Sequence, residues 1–120
     1  MMTPERVAEA AVILITSRAN AVKINALPES CRPSSAADGY AVQKQVLVQS
    51  RVSQIGWKVA ATNAVTQAAF GISEPFAGRL PGSALARSPF AVMPGRFNAP
   101  SVEGEFAVML GEDLPPDGAP

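Results

Sequence analysis

The stretch Gln54-Ile-Gly-Trp-Lys-Val-Ala-Ala-Thr-Asn63 decides the fold, because it carries period-two alternation and breaks it at one residue. Strand side chains alternate between faces, so Ile55, Trp57, Val59 and Ala61 share one face and Gly56, Lys58 and Ala60 the other. Lys58 is a lone cation between small residues. Its plain reading is a snorkelling lysine on an edge strand.

Upstream the periodicity changes to that of helices. Thr3 is placed as an N-cap with Pro4 at the first helical position, and Val7, Ala10, Ala11, Leu14 and Ile15 follow at helical spacing, which predicts a helix ending near Asn20. A polar, proline-bearing connection runs from Lys23 to Ser34. Ser35-Ala-Ala-Asp38 then has the form of a capping box for a second helix, with Ala36, Tyr40, Val46 and Leu47 as its apolar side. After the strand, Asn63 caps a short helix through Phe70 that Gly71 ends, and residues 72–100 read as Pro- and Gly-rich loop with brief strands, a segment that could cover a pocket as a lid. Helices followed by strands predict an α+β fold, with two helices packed on short strands.

A second alternating stretch lies downstream, Ser101-Val-Glu-Gly-Glu-Phe-Ala-Val-Met-Leu110. Read as a strand, it puts Glu103 and Glu105 on one face with Cα atoms roughly 6.6 Å apart, close enough to converge on one ion. An isolated Glu-x-Glu is more often a solvated face, but two hard oxygen donors side by side suit Mg²⁺ or Mn²⁺.

Composition narrows the field. Ten basic and ten acidic residues cancel, with no cationic stripe, so nucleic-acid binding is not expected. With no histidine and one cysteine, Cys31, the chain cannot build His or Cys zinc sites, Ser-His or Cys-His nucleophilic machinery, or an internal disulfide. Cys31 falls in a loop beside Arg32 and Pro33 and reads as incidental. No apolar run approaches the ~20 residues that span a bilayer, and the first residues lack a signal-peptide layout, so a cytoplasmic protein without a membrane partner is expected. A 48% hydrophobic content indicates a globular chain holding at most one domain.

The ordered set Ala37-Asp-Gly-Tyr-Ala-Val-Gln43, Gly56-Trp-Lys-Val-Ala-Ala-Thr62, Gln67, Gly71, Glu74-Pro75, Gly78-Arg-Leu80, Glu103-Gly-Glu105 and Gly111-Glu-Asp-Leu-Pro115 resembles the 2-keto-4-pentenoate hydratase family, within the fumarylacetoacetate hydrolase superfamily. The resemblance implies the amino-terminal part of that mixed β architecture: one partial domain over 1–120, helical over 1–50, with the site carried by strands and loops over 51–120. It also implies that Glu103 and Glu105 are two of three acidic ligands to Mg²⁺ or Mn²⁺ and that Lys58 is catalytic. Residues that bind substrate are not assigned.

Two departures follow. The third acidic ligand is expected beyond residue 120, Asp113 and Asp117 being too close in sequence, and Phe76 stands where many of these hydratases carry an acid. The expectation is a truncated form, inactive alone, of an enzyme that hydrates a 2-hydroxy-2,4-dienoate or related 2-oxo acid and forms a homo-oligomer. The alternatives are a 4-oxalocrotonate decarboxylase-like enzyme and a non-catalytic dimerising fragment.

Overall fold

The computed structural model describes residues 1–97 and 99–115. The chain is α+β, with helices α1 (Pro4–Ala19), α2 (Ala36–Ser50) and α3 (Ala64–Phe70) and strands β1 (Gln54–Ala60) and β2 (Phe76–Pro81). The strands form one antiparallel pair, with Trp57 opposite Arg79, Lys58 opposite Gly78 and Val59 opposite Ala77, and a register irregularity between Gln54 and Gly56. Asp117 lies outside the described residues.

Each helix starts where its cap dictates. The Thr3 hydroxyl accepts from the Arg6 amide at 3.4 Å ahead of Pro4, Ser35 accepts from the Asp38 amide at 3.2 Å, and Asn63 accepts from the Thr66 amide at 2.9 Å. Only half of the expected capping box forms. The Asp38 carboxylate accepts from the Met2 amide at 2.7 Å and the Ser34 hydroxyl at 3.2 Å. It is buried, and the Met2 hydrogen bond, the largest influence on it, holds its pKa below the usual aspartate value. Asp38 therefore ties the start of α1 to the start of α2. Gly71 ends α3 in the left-handed region at φ 65°, where a side chain would be strained.

The core lies among the helices and not between them and the sheet. Met2, Ala10, Cys31 and Val42 form it, with Val7, Ile13, Leu14 and Leu27 packed around. Cys31 is correspondingly not a loop residue: it closes a short 3-10 turn, Glu29–Cys31, and is fully buried. Arg6 holds that turn by donating to the carbonyls of Ser30 and Glu29. On α2 the buried residues are Asp38, Val42 and Val46, a stripe of period four.

Of the two long helices, α2 meets the strands, at the outer edge of β2. Gln43 donates to the Ala77 carbonyl at 3.3 Å and accepts from the Arg79 amide at 3.1 Å, while the Tyr40 hydroxyl accepts from the Ala77 amide at 3.1 Å. Two side chains thus stand in for a third strand and close an edge that would otherwise be open to pairing. Both faces of the pair stay accessible: Ile55, Trp57 and Val59, the apolar face of β1, are each about half exposed. The strand ends at Ala60 rather than Asn63 because Ala61 takes φ 56°, which turns the chain out of the extended region.

The segment 101–110 is not a strand. It has no ladder partner among the described residues, and all of its own residues are exposed. Alternation makes a segment compatible with a strand, but a strand exists only where a neighbour accepts its backbone hydrogen bonds, and none does so here. Of the described residues in 72–100, β2 and a 3-10 turn at Gly82–Ala84 take regular form, and the others lie on the surface. The radius of gyration, 16.0 Å, accordingly exceeds the about 14 Å of a compact domain of this length. No helix among the described residues is long and apolar enough to cross a membrane.

Candidate functional site

Lys58 sits mid-strand on the face that β1 shares with Gly56 and Ala60, and its partner across the ladder is Gly78. Three small neighbours leave the lysine stem room to rise from the sheet. The segment 101–110 passes within its reach, and both carboxylates meet it: Glu105 Oε1 lies 2.6 Å from Lys58 Nζ, and Glu103 Oε2 lies 3.2 Å from the same atom. Although 101–110 is not a strand, residues two apart still present their side chains to one side. The three candidate residues picked from the sequence are therefore brought together.

The electrostatics follow from that geometry. The hydrogen bond to Glu105 and then that to Glu103 raise the Lys58 pKa above the usual lysine value, outweighing its desolvation. The Lys58 hydrogen bond holds the Glu105 carboxyl below the usual glutamate range. Lys58 is thus fully protonated near neutrality. With side-chain exposures of 42% for Lys58, 62% for Glu103 and 50% for Glu105, the clasp is wet and its charges are screened by salt.

Two carboxylate oxygens within 3.2 Å of one cation centre form a hard-oxygen donor pair. Hard carboxylate oxygens are the donor type that Mg²⁺ and Mn²⁺ take, commonly one or two of them with water or substrate in the remaining positions. Among the described residues no cluster of three or more acidic, histidine or cysteine side chains is present that could hold a metal more completely. Phe76 opens β2 opposite Ala60 and packs edge-on against Phe70, with ring centroids 5.9 Å apart, so it serves the end of the sheet as an apolar residue.

A second constellation was not singled out from the sequence. On the opposite face the Arg79 guanidinium stacks over Trp57, 4.4 Å from the ring centroid, and donates to the Gln54 side chain, while its Nε is buried without a hydrogen-bond partner. The signal that could have found it is the cross-strand pairing of Trp57 with Arg79, which needs the register of β2. Set against protein-family models, curated proteins and solved structures, the chain matches none of them.

Proposed function

We propose that the clasp is the acidic half of a divalent-metal site of the 2-keto-4-pentenoate hydratase type, acting on a 2-hydroxy-2,4-dienoate or related 2-oxo acid. The observation that carries this reading is the convergence of Glu103 and Glu105 on the Lys58 ammonium from 45 and 47 positions away in sequence. Glu103 and Glu105 would hold Mg²⁺ or Mn²⁺, and the ion when bound would supply Lewis-acid stabilisation of enolate charge on a chelating acid. Lys58, released from the carboxylates, keeps its proton and would set a positive charge, or a proton, against the developing oxyanion. A decarboxylase of 2-oxo acids would use the same residues, so the clasp supports the reaction class rather than one substrate.

Self-association belongs to the same reading. Ile55, Trp57 and Val59 form a half-exposed apolar face on β1, and a two-stranded sheet alone is marginally stable, which together favour a homo-oligomer. The same face supports the non-catalytic alternative, in which the chain only dimerises. Calorimetric titration with Mn²⁺ separates the two. Weak saturable binding that disappears in the Glu103→Gln/Glu105→Gln double variant is expected; equal heats from both proteins would sink the metal-site reading and leave the dimerising one.

A further inference from the structure

The angle between the two long helices and the outer edge of β2 frames a half-open cavity of about 370 Å³, within the about 300–1,000 Å³ range of small-molecule sites. Its wall is largely apolar, with Leu14, Leu27, Val42 and Val46 among its lining residues. Arg18, from the last turn of α1, and Arg79, from β2, line it as well, and no carboxylate does. Neither arginine has an ion-pair partner among the described residues, where the only ion pairs are those of Lys58. For Arg18, the carbonyl end of α1 accounts for part of that charge. Among the described residues the Arg79 guanidinium is met by a ring face and a neutral amide, and its buried Nε finds no acceptor. A partly buried cation without an anion is costly, and a carboxylate is the group that suits a guanidinium.

We propose that this cavity binds a small carboxylic acid with an apolar body, its carboxylate drawn to Arg18 and Arg79 and its hydrocarbon against the leucine and valine wall. Gly39 supplies a further observation: it lines the cavity from within α2, and a Cβ built there would meet no atom within 4 Å. A larger side chain at this position would reach into that open space. Lys58, Glu103 and Glu105 do not line this cavity, and the proposal does not depend on the metal reading.

The test is titration of the whole chain with decanoate, followed by Trp57 fluorescence, since Arg79 stacks on that ring. Decanol controls for the hydrocarbon without the charge, and acetate for the charge without the hydrocarbon. Saturable one-to-one binding of decanoate is expected, at least about tenfold tighter than decanol, because a hydrogen-bonded charged group contributes about 1.5–3 kcal/mol. Acetate should not saturate. Arg79→Met should weaken decanoate about tenfold or more, Arg18→Met should weaken it measurably, and Gly39→Leu should block it. If Arg79→Met does not fold, the exposed Arg18→Met and the cavity-filling Gly39→Leu decide. Absence of saturation, equal affinity for decanoate and decanol, or unchanged affinity in the folded variants would overturn the proposal.

Discussion

Replacing Gln43 with alanine should uncouple the sheet from the helices. Its side chain makes two of the three hydrogen bonds by which α2 closes the outer edge of β2, donating to the Ala77 carbonyl and accepting from the Arg79 amide. At a net value of about 1 kcal/mol each, their loss costs about 2 kcal/mol, and about 3 if the Arg79 amide is left without water. For a domain of this size that is a fall in Tm of about 8 °C or more. Gln43→Glu keeps the acceptor for Arg79 but turns an acceptor-only oxygen toward the Ala77 carbonyl, so it should not restore the loss. Tyr40→Phe removes the third bond, from the Ala77 amide, and should cost about 1 kcal/mol. Urea unfolding followed in parallel by far-UV circular dichroism and Trp57 fluorescence reads the two parts separately, because Trp57 lies on β1 and nearly all the core lies among the helices. In Gln43→Ala the fluorescence transition should move to lower urea ahead of the dichroism transition. Coincident transitions, shifted together by less than about 0.5 kcal/mol, would refute the view that α2 acts as the missing edge partner of the sheet.

Lys58→Met should bind Mn²⁺ more tightly than the wild type, because the ammonium occupies the space between the two oxygens that an incoming cation must use; calorimetry giving equal or weaker binding would contradict that competition. The clasp should be intact around neutrality. Glu105 is depressed, so its contribution is present above the ordinary glutamate value of 4.5 and lost as pH falls through its lowered folded value; Lys58 is raised, so its contribution is present below 10.5 and lost as pH rises through its folded value. Carboxyl-carbon NMR titration should find the Glu105 midpoint below 4.5 and returning toward it in Lys58→Met. Gly71→Ala should cost α3 about 1–2 kcal/mol, since its residue sits at φ 65° with nothing else around it, and faster amide exchange across Ala64–Phe70 would report the loss.

The sequence by itself determined what local chemistry determines. Thr3 with Pro4, Ser35 and Asn63 each begin a helix because their oxygens satisfy amides three residues on, and Gly71 ends one because only glycine is unstrained there. Alternation likewise placed Lys58 opposite the apolar face of β1 and put Glu103 and Glu105 on one side of their segment. Tertiary structure decided everything that depends on a neighbour distant in the chain. The segment 101–110 has the side-chain pattern of a strand but lacks the partner that would make it one. The Asp38 carboxylate accepts from the Met2 amide 36 positions away, a contact that no capping pattern encodes. Whether α2 covers a face or closes an edge turns on Tyr40 and Gln43 reaching Ala77 and Arg79, contacts spanning 34–37 positions that no local period encodes. The meeting of Lys58 with two glutamates is of the same kind, since nothing in a ten-residue window fixes where a segment 45 positions away will pass.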